Sequence, residues 1–213
     1  MCMNAGIQSR HNNTTHLNHT DMTSYIFLAD GFEEVEALTV VDVMRRAGMA
    51  VRTVSITGDH HATGAHGVKV QTDLTFKTAD FSDAEWLIVP GGMPGSENLH
   101  KFSALGDLLR VHAMHPGKIA GICAAPAVVL APLGILDGLT ATCYPGFEKA
   151  LQEHGAKYVD DRVVVHENII TANGPSSALL FALSIVANSL GDAHAREIAT
   201  GMLLYPGTTP FYF

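Results

Sequence analysis

Short apolar runs alternate with amphipathic stretches along most of the chain. Each run is bounded by turn-forming residues, which is typical of the buried strands of a parallel sheet. The four clearest runs lie at residues 25–29, 51–56, 86–89 and 119–122. The stretch between the first two runs has the apolar spacing of a helix, so this part of the chain predicts a strand–helix–strand unit.

The first helix is predicted from Glu33 to about Ala47. Its apolar positions recur at helical spacing and form one stripe, made of Val35, Leu38, Val41 and Met44. Acidic residues occupy the first turn and Arg45 and Arg46 the last, an arrangement that suits the helix dipole. Because Val35 is expected to face the core, Glu36 is expected to lie at the edge of the buried stripe.

The rest of the chain continues the same alternation. Residues 64–76 predict an added hairpin or an excursion at the edge of the sheet, and residues 162–166 and 168–172 predict a hairpin. The remaining predicted elements are a helix ending near 115–117, a short helix after Cys123, a strand at 139–142, and helices at 147–154, 176–190 and 192–203. The order predicts an α/β fold, a single three-layer domain with a mostly parallel sheet.

This domain is expected to span residues 22–213. The first 21 residues are rich in Asn, Thr and His and lack the apolar core of a signal peptide, so we expect a flexible N-terminal extension. The apolar stretch at 119–136 reaches the length of a membrane helix, but Pro126 and Pro132 would break such a helix. No membrane partner is therefore expected.

Composition narrows the function classes. The 213 residues are 47% hydrophobic and 16% charged, against about 25% charged in typical domains, which favours extra buried surface such as a homodimer interface. Thirteen basic and 21 acidic residues give a net charge of −8, so we expect no nucleic-acid partner. Three cysteines without framework spacing indicate free thiols and a cytoplasmic location.

Candidate chemistry collects at the carboxyl ends of the predicted strands, where ligands bind in open α/β sheets. Three ends carry distinctive residues: Asp30–Gly31, Pro90–Gly92 and Cys123. We expect all three to share one edge of the sheet.

Cys123 lies in a Gly-Ile-Cys-Ala-Ala-Pro stretch between a predicted strand and a predicted helix. Small neighbours suit a nucleophile held in a sharp, strained turn, and Pro126 suits the first turn of the following helix. The partial positive charge and free N–H groups at a helix start favour the reactive thiolate. The alternative is a buried structural cysteine that acts as a small apolar side chain.

Glu36, Gly91 and Gly92 are the other candidates at this edge. A carboxyl near a thiolate is pushed towards its protonated form and then donates a hydrogen bond to sulfur. The Gly-Gly turn, together with the N–H of Ala124, offers donors for an oxyanion hole. The alternatives are a solvated first-turn acid and an ordinary turn. No metal-binding or nucleotide motif occurs, so we expect neither a metal nor a cofactor.

Four stretches of the chain, in order from about residue 24 to residue 190, carry a family resemblance. They are ADGFEEVEALTVVDVMRRAG at 29–48, LIVPGGMPGSENL at 87–99, IAGICAAPAVVLAP at 119–132 and TANGPSSALLFAL at 171–183. Together they resemble the ThiJ/PfpI family, in particular its branch that contains the parkinsonism-associated protein deglycase.

The resemblance implies a flavodoxin-like α/β/α sandwich that forms homodimers. It implies that Cys123 is the reactive, oxidation-prone nucleophile and that Glu36 is a protonated carboxyl bonded to it. Gly92 and Ala124 would offer backbone N–H groups to an oxyanion. The implied activities are conversion of methylglyoxal or glyoxal to the hydroxy acid without glutathione, repair of early glycation adducts, and redox-linked stress protection or chaperoning.

The chain departs from the family pattern at three positions. Ala124 stands where protease-like members have His, Tyr144 where the deglycase branch often has the His of a Thr-His-Pro stretch, and Asn173 where some relatives have a basic residue. Tyr144 and Asn173, with Gly91, are expected to line the site. Because tyrosine, with a pKa of about 10, is a poor base at pH 7, we expect Glu36 to relay the proton and exclude a Cys-His-Asp protease.

Two function hypotheses follow. The first is a cysteine-dependent enzyme of the glyoxalase III or deglycase type, which acts through a Cys123 hemithioacetal on α-oxoaldehydes or glycated substrates. The second is a non-catalytic redox-sensing stress protein or chaperone that uses oxidation of Cys123. A third, a glutaminase-type amidotransferase, would need a late His–Glu pair, and only His166–Glu167, in a predicted hairpin turn, resembles one.

Overall fold

The computed structural model describes residues 22–115 and 117–204. Its strands are β1 Thr23–Leu28, β2 Val51–Ser55, β3 His61–Thr63, β4 Lys69–Gln71, β5 Leu74–Thr75, β6 Ala84–Val89, β7 Lys118–Ile122, β8 Thr140–Ala141, β9 Lys157–Tyr158, β10 Val163–His166 and β11 Ile169–Ala172. Its α-helices are α1 Glu34–Arg46, α2 Gly95–Lys101, α3 Ser103–Met114, α4 Glu148–Glu153, α5 Ala178–Leu190 and α6 Asp192–Gly201.

Seven of these strands form the central sheet, in the order β10-β11-β7-β6-β1-β2-β5. Neighbouring strands are parallel except for β10, which runs antiparallel to β11 in the predicted hairpin. Successive side chains of β1 point to opposite faces: Ile26 packs in the cluster that contains Phe181 of α5, and Phe27 packs with Leu105 of α3. Helices therefore cover both faces, and the predicted three-layer, flavodoxin-like α/β fold is confirmed.

The buried face of α1 differs from the prediction. Val35 is 52% exposed, whereas Glu36 is fully buried. The reason is that the N–H of Gly91, in the turn after β6, donates to the Glu36 carboxyl, so this turn covers that side of the first helical turn. The expectation that Val35 faces the core and that Glu36 lies at the edge of the buried stripe is wrong.

Other elements deviate more mildly. The predicted helix before residues 115–117 is two helices, α2 and α3. The predicted hairpin at 64–76 is β3–β4, after which β5 joins the main sheet beside β2. The short helix after Cys123 consists of a π-helical turn at Pro126–Leu130 and a 3-10 turn at Ala131–Leu133. The predicted strand at 139–142 is β8, which pairs with β9, an element that the sequence pattern did not indicate.

The expected N-terminal extension, its histidines and Cys2 lie outside the described residues, as does the expected domain end beyond Leu204. Cys123 and Cys143 are both free and buried. Within residues 22–115 and 117–204, no helix is long and apolar enough to cross a membrane.

Candidate functional site

The site lies at the carboxyl edge of the central sheet, where β1, β6 and β7 end side by side. A main-chain hydrogen bond joins the loops after β1 and β6: the N–H of Glu33, at the start of α1, donates to the carbonyl of Gly91 at 3.0 Å. After β7, the N–H of Cys123 donates to the carbonyl of Ala172, the last residue of β11, at 2.8 Å. The three strand ends that the sequence singled out thus share one edge.

Cys123 occupies a strained turn at the end of β7. Its φ is +65°, in the left-handed region, which costs a non-glycine residue about 1–2 kcal/mol. Two main-chain hydrogen bonds stabilise this conformation. The N–H of Cys123 donates to the carbonyl of Ala172, and the carbonyl of Cys123 accepts from the N–H of Tyr144 at 2.8 Å. The residue is 8% exposed, so the thiol is buried rather than on the open surface.

Glu36 is the buried carboxyl of the site. Its Oε2 accepts a hydrogen bond from the N–H of Gly91 at 2.7 Å, whereas its Oε1 is buried without a hydrogen-bond partner among the described residues. Burial raises the pKa of this carboxyl to about 7, against the opposing effects of the Gly91 N–H and the Cys123 thiol. The negative charge of Glu33 adds to the rise.

The thiol of Cys123 has a raised pKa as well. Burial is the largest cause and the charge of Glu36 the second, and together they raise the pKa of the thiol to about 12. The N–H groups of Gly92 and Ala124 act in the opposite direction because they donate to the sulfur. The N–H groups lower the pKa of the thiol, as the sequence analysis expected of a helix start. Desolvation raises the pKa by more, so the thiolate is disfavoured overall.

These two pKa values describe one coupled pair. Both pKa values are raised and that of the carboxyl is the lower, so Glu36 loses its proton before the thiol of Cys123 does. When the charge is on sulfur, Glu36 is protonated and the N–H groups of Gly92 and Ala124 stabilise the thiolate. Transfer of the thiol proton to Glu36 would turn the pair into a nucleophile and an acid, and no histidine is among the described groups that shift either pKa.

Glycine is required at positions 91 and 92 for different reasons. A β-carbon at Gly91 would lie 2.5 Å from Cys123 Cβ and 2.6 Å from Glu36 Oε2, so any side chain there would separate the pair. Gly92 has a φ of +90°, a conformation that favours glycine and turns its N–H towards the sulfur.

Tyr144 and Asn173 lie close to Cys123. The N–H of Tyr144 donates to the carbonyl of Cys123, and Asn173 directly follows Ala172, whose carbonyl accepts from the N–H of Cys123. Tyr144 is 44% exposed, and its ring lies against Gly174, where a β-carbon would be 3.2 Å from the ring. The Asn173 amide oxygen accepts a hydrogen bond from the Ser177 hydroxyl at 2.7 Å. That oxygen is therefore already engaged within its own loop.

His166 lies far from this edge. It pairs with Ile169, and Ile169 in turn pairs with Ile119 near the start of β7, so the β10–β11 turn lies at the amino edge of the parallel strands. Cys123 follows the opposite end of β7. The His166–Glu167 dipeptide cannot act on this cysteine, which removes the geometric basis of the amidotransferase alternative.

Among the residues that the structure describes, one group of side chains that could ligate a metal lies near the site, at the start of α1. Ligand atoms of Glu33, Glu34 and His66 lie within 4.8 Å of one another. Both carboxyl oxygens of Glu34 already accept hydrogen bonds from His66, one from its N–H at 2.8 Å and one from Nδ1 at 2.9 Å. These contacts lower the pKa of Glu34 and raise that of His66. The group is an ion pair that holds the loop after β3 onto α1.

Sequence reasoning missed two contributors to the site. The carbonyl of Ala172 fixes the Cys123 turn, and the charge of Glu33 raises the pKa of Glu36. No local signal marks Ala172, since its role depends on β11 pairing with β7. Glu33 could have been found from its position three residues before Glu36, because residues at that spacing share a helix face.

Comparisons with known proteins agree with this architecture. The sequence model of the DJ-1/PfpI family matches residues 22–188. Protein dj-1beta of Drosophila melanogaster is 36% identical over 183 residues, which make up 85% of this chain and 97% of that protein. Glutathione-independent glyoxalase DJR-1.2 of Caenorhabditis elegans is 34% identical over 175 residues, or 81% of this chain and 90% of that protein. The structure of oxidized Toxoplasma gondii DJ-1 superposes on this one with a TM-score of 0.81 at 34% sequence identity. The aligned region makes up 85% of this chain and 98% of that one.

Proposed function

Because the chain belongs to the DJ-1/PfpI family, we propose that it is a cysteine-dependent enzyme that acts on reactive α-oxoaldehydes, such as methylglyoxal and glyoxal, or on early glycation adducts. The observation that carries the proposal is the buried Glu36–Cys123 pair with N–H donors at the sulfur. The name of the Caenorhabditis elegans relative, a glutathione-independent glyoxalase, supports it.

The first step is addition. The Cys123 thiolate attacks the aldehyde carbon of methylglyoxal, the carbonyl electron pair moves to oxygen, and a hemithioacetal oxyanion forms. The N–H groups of Gly92 and Ala124 already donate to the sulfur, and they are placed to stabilise the new negative charge beside it. The proton on Glu36 then neutralises this oxygen.

The second step is isomerisation, which needs a base and then an acid. The Glu36 carboxylate removes the hydrogen of the former aldehyde carbon and gives an enediolate, with the negative charge on the oxygen of the neighbouring carbon. That oxygen takes the hydroxyl proton of the first carbon, and protonated Glu36 returns its proton to the neighbouring carbon. The product is a lactoyl thioester of Cys123. A pKa of about 7 suits both roles at neutral pH. Water then hydrolyses the thioester, which releases lactate and regenerates the thiol.

The burial of Cys123, and the fact that no histidine is among the described groups that shift its pKa, argue against proteolysis. We extend the proposal to a homodimer in the cytoplasm, formed by one domain over residues 22–213 that follows an N-terminal extension. The free, buried thiols support a reducing location, and the low charged fraction supports an additional buried interface.

A second candidate function is redox sensing through oxidation of Cys123. Two backbone N–H donors at the sulfur, together with the carboxyl of Glu36 in its protonated form, would stabilise a sulfinate at Cys123. The Toxoplasma gondii relative is described in an oxidized form. Stoichiometric peroxide oxidation of Cys123, measured by intact mass, together with no aldehyde turnover would favour this function.

The proposed function is tested by measuring methylglyoxal consumption and lactate formation with purified protein. Cys123→Ser should abolish turnover, whereas the matched variant Cys143→Ser, which removes the other described buried thiol, should retain it. Equal activity in the two variants, or no turnover by the unchanged chain with a range of aldehydes, would refute the enzyme proposal.

A further inference from the structure

The strained turn at Cys123 is supported by two segments from different parts of the chain. Its N–H donates to the carbonyl of Ala172, the last residue of β11, and its carbonyl accepts from the N–H of Tyr144, which lies shortly after β8. A non-glycine residue with a φ of +65° persists only where the surrounding structure enforces that conformation. Whatever fixes Ala172 and Tyr144 therefore also fixes Cys123.

Arg162, directly before β10, holds residues 173–177, the segment that follows β11. Its carbonyl accepts from the N–H of Asn173 at 3.1 Å. Its guanidinium donates to the carbonyl of Ser176 at 2.5 Å and to the hydroxyl of Ser177 at 3.3 Å. Because these contacts fall at both ends of the segment, the arginine fixes the course of the chain directly after β11.

The direction of the hydrogen bonds between these side chains follows from their chemistry. A guanidinium has donors only, so the Ser177 hydroxyl accepts from Arg162 and gives its own hydrogen to another group. That group is the amide oxygen of Asn173, at 2.7 Å. Ser177 is fully buried, which protects its hydroxyl from competition by water. The guanidinium is thus connected through Ser177 to the residue that directly follows Ala172.

The loop before β10 also reaches the second support. The hydroxyl of Thr142, which precedes Tyr144 by two residues, donates to the carbonyl of Asp161 at 3.0 Å. Gly174, inside the segment that the arginine holds, lies against the ring of Tyr144, where an added β-carbon would be 3.2 Å from the ring. The loop before β10 therefore contacts both segments that support the cysteine.

We propose that Arg162 is a positioning residue for Cys123. By fixing residues 173–177, its guanidinium keeps the carbonyl of Ala172 in place, and that carbonyl holds Cys123 in the left-handed conformation. In this conformation the N–H of Ala124 donates to the sulfur. Without the guanidinium the turn relaxes, this donor moves away from the sulfur, and less thiolate is present at a given pH.

Alkylation of the thiol by iodoacetamide at pH 7 tests the proposal in the full chain. In Arg162→Met, which keeps the apolar stem of the side chain, Cys123 should react about fivefold more slowly than in the unchanged chain. A merely structural role predicts the opposite, because a loosened fold would expose the buried thiol. Cys143, which is 1% exposed, is the internal control. Its rate, measured in the same peptide mass spectra, should not change.

Two further variants make the test specific to the hydrogen bonds of Arg162. Arg162→Lys keeps the charge and one donor group, so Cys123 should react at a rate between those of Arg162→Met and the unchanged chain. Arg196→Met removes an exposed arginine of α6 that has no hydrogen bond to residues 173–177 in the described part of the chain, and it should leave the rate unchanged.

Three results would overturn the positioning role of Arg162. The first is a Cys123 that reacts in Arg162→Met as fast as in the unchanged chain, or faster. The second is faster alkylation of Cys143 in Arg162→Lys, which would indicate a loosened fold. The third is equal slowing in Arg196→Met, which would attribute the effect to the loss of one positive charge.

Lactate formation adds a readout that rests on the proposed function. In Arg162→Met, kcat should fall roughly tenfold while KM stays within about twofold, because the nucleophile is displaced and the groups around it are unchanged. A raised KM with an unchanged kcat would assign Arg162 to substrate binding and contradict positioning. If the unchanged chain forms no lactate, the proposed function fails, and the alkylation rates still decide whether Arg162 positions Cys123.

Discussion

The charge of Glu36 raises the pKa of Cys123, and Gly91 packs directly against both side chains. The carboxyl and the thiol are each poor at holding a charge here because both are buried. The proposed transfer of the thiol proton to Glu36 rests on this relationship between the two buried groups, and four predictions test it.

Replacing the carboxyl should separate thiol reactivity from turnover. In Glu36→Gln the sulfur no longer competes with a carboxylate for the negative charge, so the pKa of Cys123 should fall. Alkylation of Cys123 by iodoacetamide at pH 7 should become about tenfold faster. Lactate formation should fall on the order of a hundredfold or more, because the amide transfers no proton. A parallel loss of both rates would indicate a merely structural role for Glu36.

Glu36 should also make stability depend on pH. Its pKa is raised from 4.5 to about 7 in the folded state, so its protonated form favours folding. The associated stability is present below pH 4.5 and is lost as the pH rises through 7, by roughly 3 kcal/mol. Glu36→Gln should therefore be more stable than the unchanged chain at pH 8 and equally stable near pH 4.5. Denaturant unfolding at both pH values measures this, and an equal difference at the two would contradict it.

A single methyl group at position 91 should uncouple the pair. Gly91→Ala places a β-carbon where Cys123 and Glu36 now pack, so we expect a loss of about 1–3 kcal/mol in stability and about a hundredfold in turnover. Gly201→Ala is the matched control, because nothing lies within 4 Å of the β-carbon that it would add. Thermal unfolding and the lactate assay measure the two effects. Full turnover in Gly91→Ala would mean that the spacing of the pair is unimportant.

The proton relay through Glu36 implies that the Tyr144 hydroxyl is dispensable. Tyr144→Phe should keep turnover within about threefold, since a phenol with a pKa of about 10 is a poor base. Tyr144→His should add a second base and introduce an inflection near pH 6.5 in the rate profile. Because the residue is 44% exposed, neither change should disturb folding. Loss of turnover in Tyr144→Phe would assign the proton transfer to the tyrosine.

The sequence predicted the sheet edge but not the electrostatics of the pair. Apolar runs marked β1, β2, β6 and β7, and the rule that ligands bind at strand ends selected Cys123 and the Gly-Gly turn. The pattern failed at α1, where the apolar Val35 is exposed and Glu36 is buried. The first turn of α1 is covered by a loop that is distant in sequence, the turn after β6, and the local pattern of α1 does not reveal this. For the same reason, the direction in which the N–H donors shift the pKa of Cys123 could be predicted from the sequence, but the larger effect of desolvation could not.

The division of labour between Cys123 and Glu36 is the central claim, and one experiment with Glu36→Gln tests it most directly. The variant is incubated with methylglyoxal, then lactate is measured and the fraction of Cys123 that remains open to iodoacetamide is determined by peptide mass spectrometry. The account predicts that methylglyoxal protects Cys123, because the hemithioacetal forms, while almost no lactate appears. Lactate formation at the rate of the unchanged chain, or a Cys123 that methylglyoxal does not protect, would contradict it.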